Sequence, residues 1–221
     1  MKIIKVQFLV FSSAVLLSLV GCKQGGYAVG VGPGITPEMR DKLQRETVRP
    51  PIDSNAKFVD SVVEADVPVP RQDYTRISAQ LKLEEVLVGS KNIPRVVRTE
   101  PLTESWDAPG SRRRVVLADG NTALEELIED HRPELYQYEV WNFTAKAGRF
   151  VAYAVGQFET TGDEHSTHVR WTYRFRPRGW PSVLFIEPFV RGEYHQFMSN
   201  GMDAIRKKVV EEWQSEGPKI D

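Results

Sequence analysis

The sequence predicts an α+β fold in which about seven antiparallel strands are followed by one long C-terminal helix. Three observations carry that expectation. Residues 165–176 alternate cleanly, with Val169, Trp171, Tyr173 and Phe175 on one side and His168, Arg170, Thr172, Arg174 and Arg176 on the other. Such a strand has one buried face and one wet face. Upstream, β-prone runs succeed one another and are separated by Asp119-Gly120, Pro133, Ala147-Gly148 and Gly162-Asp163, all turn or breaker signals. Beyond Pro181 the period changes, and Met198, Met202, Ile205, Val209 and Trp213 form a stripe at helical spacing.

Taken in order, 58–67 reads as a strand ended by Pro68 and Pro70. A helical stretch starts near Arg71, with Tyr74, Ile77 and Leu81 at i, i+3 and i+7. A second short piece over 83–88 is closed by Gly89 and Pro94. Strands follow over 95–102 and 112–118, and the Asp119-Gly120 turn leads into 122–131. Strands over 134–143, 149–159 and 165–176 complete the sheet. The terminal helix is expected over 189–216, where Gly217-Pro218 stops it. Residues 57–216 are long enough for one domain with its own core, and 217–221 are left as a short tail.

The N-terminus is of a different kind. Lys2 and Lys5 precede an apolar run over 6–20, which is shorter than the ~20 residues that span a bilayer and has the layout of a secretory leader. Leu19-Val20-Gly21-Cys22 resembles a bacterial lipobox. The resemblance implies cleavage after residue 21 and acylation of Cys22, with three acyl chains where stable anchoring needs at least two. Cys22 is the chain's only cysteine, so no internal disulfide is available, and lipidation would consume a lone thiol. Residues 22–56 are rich in glycine and proline, with a short helix start at Thr36-Pro37-Glu38. They read as a tether, and about 34 flexible residues would span roughly 30 Å. The expected location is the bacterial cell envelope, facing the periplasm, with the outer membrane favoured over the inner because Lys23 rather than Asp follows the cysteine.

The formal charge of the whole chain is −1, without the clustered basic surface that nucleic acid calls for. Arg112-Arg113-Arg114 is basic, but neighbours on a strand point to alternate faces. The histidines are His131, His165, His168 and His195. His165 and His168 lie three apart on a hairpin and strand and so face opposite ways, which argues against a metal site. No nucleophile elbow, phosphate-binding loop or cofactor motif is present; Gly30-Val31-Gly32-Pro33-Gly34 fits none of these.

The element order, with the stretches Pro94-Arg95-Val96-Val97-Arg98-Thr99-Glu100, Pro109-Gly110-Ser111-Arg112-Arg113, Asp119-Gly120 and Arg170-Trp171-Thr172-Tyr173-Arg174-Phe175, resembles the helix-grip fold of the START/polyketide-cyclase (SRPBCC) superfamily over about 57–216. The resemblance implies a curved sheet around the terminal helix and a cavity between them. Members hold lipids, sterols, polyketides or other apolar molecules there, and a minority do chemistry.

Alternation places Phe150, Ala152, Ala154, Gly156 and Phe158 on one face, where three small residues either leave volume or match a bulky neighbour. The expected lining is Tyr138, Ala154, Trp171, Tyr173, Met198 and Met202. Glu126, sharing a face with Leu124 and Ile128, is a candidate inward carboxylate, which an apolar pocket would keep protonated to higher pH; a solvated or arginine-paired glutamate is the alternative. The functional expectation is a membrane-tethered lipoprotein whose domain binds an apolar or amphipathic molecule or lipid without catalysis. Two alternatives are a cyclase- or hydrolase-type enzyme using the same cavity, and an envelope interaction protein whose cavity has collapsed.

Overall fold

The computed structural model describes residues 47–217 together with Thr36, Glu38 and Met39. The leader, Cys22 and most of the expected tether lie outside the described residues. Thr36 accepts a hydrogen bond from the Met39 amide at 3.2 Å, the N-cap that its hydroxyl suggests.

Strand β1 (Val59–Val67) leads into helices α1 (Arg71–Ser78) and α2 (Leu83–Val86). Strands β2 (Val96–Pro101), β3 (Arg112–Leu117), β4 (Thr122–His131) and β5 (Leu135–Trp141) follow. A 3-10 turn (Lys146–Phe150) precedes β6 (Val151–Gly162) and β7 (Thr167–Pro177). Helix α3 (Trp180–Phe189), a π-helical turn (Val190–Tyr194) and helix α4 (His195–Ser215) end the chain. The strands form one antiparallel sheet in the order β1-β7-β6-β5-β4-β3-β2, curved around the terminal helix.

Turn chemistry sets this order. Gly120 adopts φ 82°, a left-handed conformation that costs glycine little, and the Asp119 carboxylate accepts from the Asn121 amide at 3.0 Å. The β3–β4 hairpin therefore closes where the sequence places it. Among the described residues no helix is long and apolar enough to cross a membrane.

The terminal helical segment starts at Trp180, nine residues before its expected start. Pro181 occupies the first helical turn, where its missing N–H costs nothing, so it opens the helix rather than breaking it. Helix α4 packs on β1, α1 and α2. Asn200 donates to the Gly89 carbonyl at 2.7 Å, and Ser61 is hydrogen-bonded to His195 at 3.2 Å.

Both faces of the sheet carry apolar side chains. The inner face belongs to the main core with Trp171, Tyr173, Met198 and Met202. On the outer face Leu124, Trp141, Tyr153 and Val155 form a second cluster. Residues 47–56, expected to belong to the tether, lie against this outer face. The Asp53 amide donates to the Tyr153 hydroxyl at 3.0 Å, and Arg49 reaches Glu126 at 2.9 Å and Glu139 at 2.5 Å.

Candidate functional site

A cavity of about 150 Å³ opens between the sheet and the helical segment around the π-helical turn. Its walls come from Leu87, Ile93 and Val96 beside α2, from Val115, Leu117, Ala123 and Val140 of the sheet, and from Phe143, Ala145, Ala147 and Gly148 of the β5–β6 connection. Phe189, Tyr194 and Phe197 cover it. The walls are almost wholly apolar, and a cavity of this size holds a benzene-sized group.

The π-helical turn explains which helix residues reach the cavity. In an α-helix, residues five apart point about 140° away from each other. An i→i+5 turn brings them onto one face, so Phe189 and Tyr194 both line the cavity, with ring centroids 6.0 Å apart. Pro188 precedes this turn.

Tyr138, Tyr173, Tyr194 and Glu125 interrupt the apolar wall, as do Asn121 and Thr122 at the β3–β4 turn. Tyr138, Tyr173 and Tyr194 are mutually close: the Tyr138 and Tyr173 rings lie 6.1 Å apart, and those of Tyr173 and Tyr194 4.8 Å apart. Burial pushes all three phenols well above their usual pKa, and the nearby Glu125 carboxylate adds to the shift. They therefore remain protonated at neutral pH and present O–H donors. Glu125 accepts from Arg113 Nε at 2.7 Å. The Arg113 guanidinium in turn sits 3.9 Å from the Trp106 ring centroid, and Trp106 donates to the Tyr136 hydroxyl at 2.6 Å. This chain of contacts holds a carboxylate and an arginine at the edge of an apolar space without leaving either charge unpaired.

Of the residues expected to line the site, Tyr138, Trp171 and Tyr173 do so. Trp171 Nε1 donates to the Tyr138 hydroxyl at 3.3 Å. Ala154, Met198 and Met202 share the inner face but are 0%, 0% and 2% exposed, packed in the core away from the opening. The small residues do not leave volume beneath the Met198–Met202 stretch of α4. A Cβ on Gly156 would fall 2.2 Å from Tyr138 Cζ, so the glycine receives the tyrosine ring. On Gly201 it would meet Leu87 at 3.1 Å and Trp171 at 3.3 Å. Phe158 stacks on Trp171 at 4.9 Å. These rings fill that end, and the opening lies instead under Phe189, Tyr194 and Phe197.

Two strand parities also differ from the expectation. A bulge between Val151 and Tyr153 turns Ala152 to the outer cluster and leaves Val151 on the cavity. Glu126 is not inward. Leu124, whose apolar side chain suggested that it was, belongs to the outer cluster. Glu126 there pairs with Arg112 at 2.5 Å and with Arg49, and Glu125 faces the cavity in its place. Periodicity cannot assign the face when both faces are apolar, although the tyrosine and phenylalanine at 194 and 197 were visible as an aromatic pair at helical spacing.

Among the described residues no three His, Cys, Asp or Glu side chains gather into a metal site. His168 faces outward and pairs with Asp66 at 2.8 Å.

A family model described as polyketide cyclase / dehydrase and lipid transport matches residues 90–209. Among solved structures, the ZhuI aromatase/cyclase from Streptomyces sp. R1128 is similar at TM-score 0.55 and 13% identity, over 74% of this chain and 100% of that one. Truncated norcoclaurine synthase from Thalictrum flavum gives TM-score 0.52 at 16% identity, over 72% and 99%. Ara h 8.0201 gives 0.50 at 14%, over 70% and 99%. At these identities the likeness is one of fold. A search of curated protein sequences finds no significant match.

Proposed function

Because the chain belongs to the polyketide cyclase / dehydrase and lipid transport family, we propose that its cavity holds an apolar or amphipathic small molecule or lipid, with a polar group of that ligand turned to the tyrosines. The observation that carries this is the cavity itself, apolar on nearly every side but with protonated phenols beside Glu125. Ligand sites combine such walls with a few placed polar groups. A ligand carbonyl, hydroxyl or acid would accept from a phenol, while its apolar part replaces the contacts the void lacks.

The test is a titration with anilinonaphthalene sulfonate, an apolar ring system carrying one acid. Parent protein should enhance its emission saturably, and Ala123→Trp, which fills the cavity from β4, should lose most of that enhancement while keeping the parent's circular dichroism. Equal enhancement by both proteins would contradict binding at this place.

A second reading rests on Glu125. A carboxylate lining a cavity beside three phenols suits proton transfer to or from a bound ligand, as a cyclase- or hydrolase-type step would need. Glu125→Gln separates the two. A binding domain keeps its ligand with little change, whereas an enzyme releases it unconverted.

The setting we propose is a lipid-anchored protein of the bacterial envelope, facing the periplasm and preferring the outer membrane. The support is the leader and the Leu19-Val20-Gly21-Cys22 box. In cells fed a labelled fatty acid, Cys22→Ala should abolish labelling and leave the precursor uncut; normal labelling of that variant would end the lipoprotein reading.

A further inference from the structure

Helix α3 is apolar on nearly all sides, and a soluble domain normally hides such a helix. Here Ile186 and Val190 are buried, but Trp180 is 76%, Leu184 64% and Phe185 59% exposed. Phe185 stacks on Phe150 of the 3-10 turn at 4.8 Å, which joins the exposed face of α3 to the β5–β6 connection that walls the cavity. Contiguous exposed apolar surface of this kind marks an interaction site.

The charged side chains of the 3-10 turn and of the β7–α3 connection are all basic. Arg149 lies 4.8 Å from the Phe150 ring centroid. Arg178 donates its amide to the Phe150 carbonyl at 2.9 Å, and Lys146 begins the same 3-10 turn. All three are exposed, and none forms an ion pair with a described residue. The acid on α3, Glu187, is neutralised by Arg191 at 2.9 Å.

We propose that α3 and the 3-10 turn dock on an anionic lipid bilayer, with Trp180, Leu184 and Phe185 entering the headgroup boundary and Lys146, Arg149 and Arg178 pairing with lipid phosphates. Tryptophan and leucine on an apolar face, ringed by lysine and arginine, are what an interfacial helix presents, and each cation near an anionic surface adds to the attraction. Docking places the covering elements of the cavity on the membrane, so a lipid ligand enters without crossing water. The proposal rests on the membrane-tethered reading for its setting only, since the patch and its charges are independent of Cys22.

The experiment uses the full chain carrying Cys22→Ala, so that an introduced cysteine is the only one, labelled with a polarity-sensitive fluorophore at Leu184→Cys or, as a control, at Glu64→Cys on β1. With phosphatidylglycerol vesicles the Leu184 label should shift to the blue and be quenched by brominated lipid. The Glu64 label should not move. Lys146→Glu with Arg149→Glu and Arg178→Glu, or high salt, should reverse the shift. A Leu184 label that stays unshifted while the chain co-sediments with vesicles overturns the proposal, because attachment is then through the N-terminus alone. So does a blue shift without vesicles that grows with protein concentration, which means a second copy covers the patch. Acyl labelling of Cys22 is read separately, so failure of the anchor and failure of the docking face are distinguishable.

Discussion

On the inner face of β5, Val140 borders an open apolar cavity; one residue earlier, on the outer face, Glu139 is 0% exposed and clamped by an arginine from the N-terminal segment. Glu126 and Glu139 stand directly opposite each other on β4 and β5, an arrangement that repels. Arg49 binds both, and Arg112 binds Glu126 from β3. The outer face thus spends its interactions on fixing the chain, with charges that depend on one another. The inner face leaves contacts unmade and confines its fixed charges to the Arg113–Glu125 pair. A binding site needs unsatisfied apolar wall, and a rigid scaffold behind that wall keeps it from collapsing.

The largest effect that would break this contrast is at Arg49. Arg49→Met strands the fully buried Glu139 opposite Glu126, which keeps Arg112, and should cost about 3 kcal/mol in urea denaturation at pH 8, with ligand binding unchanged once the protein is folded. A chain started at Ala56 loses the same arginine and should lose at least as much stability. An unaffected Arg49→Met would show that residues 47–56 are a passive tether after all.

Next comes pH. Burial pushes the Glu139 carboxyl up to about 7, with Arg49 holding it back. A carboxyl raised in the folded state binds its proton there before the unfolded chain does, so stability rises as pH falls from about 7 toward the ordinary glutamate value. The burden is fully present above pH 7. Glu139→Gln should remove about 3 kcal/mol of that pH dependence. A stability profile as steep as the parent's between pH 5 and 8 would put the titration elsewhere.

Substitutions of similar size should then separate the packed and open parts of the inner face. Ala154→Trp, in the packed core, should destabilise by about 1–3 kcal/mol or more. Gly156→Ala must displace the Tyr138 ring and should cost a comparable amount. Ala123→Trp, in the cavity, should change stability least of all and instead displace ligand. Equal melting temperatures for Ala123→Trp and Ala154→Trp would erase the distinction.

The fold was largely legible because each of its strands carries local evidence. The alternation of 165–176 and the Asp119-Gly120 turn need no knowledge of the rest of the chain, and β7 and the β3–β4 hairpin lie where those signals put them. The site was legible only in part. Tyr138, Trp171 and Tyr173 follow from strand parity, but parity failed at Glu126 because the sheet is apolar on both faces, and at Ala152 because of a bulge. Phe189 falls off any stripe at 3.6-residue spacing, since the π-helical turn between it and Tyr194 changes the period where the helix crosses the cavity. The volume was displaced for a further reason. Small residues predict space, yet Gly156 and Gly201 admit Tyr138 and Trp171, and only three-dimensional packing shows which ring fills which gap.

Occupancy of the opening beneath Phe189, Tyr194 and Phe197 by a ligand is read most directly by native mass spectrometry. Parent protein and Ala123→Trp would be expressed in the same bacterial host and purified without detergent. The expected result is a small-molecule adduct on the parent, released by organic solvent and extracted as an apolar or amphipathic compound, and absent from Ala123→Trp. A parent that carries no adduct and gains none from a crude envelope lipid extract, with the variant behaving identically, would mean that the cavity is a packing defect and the domain binds nothing there.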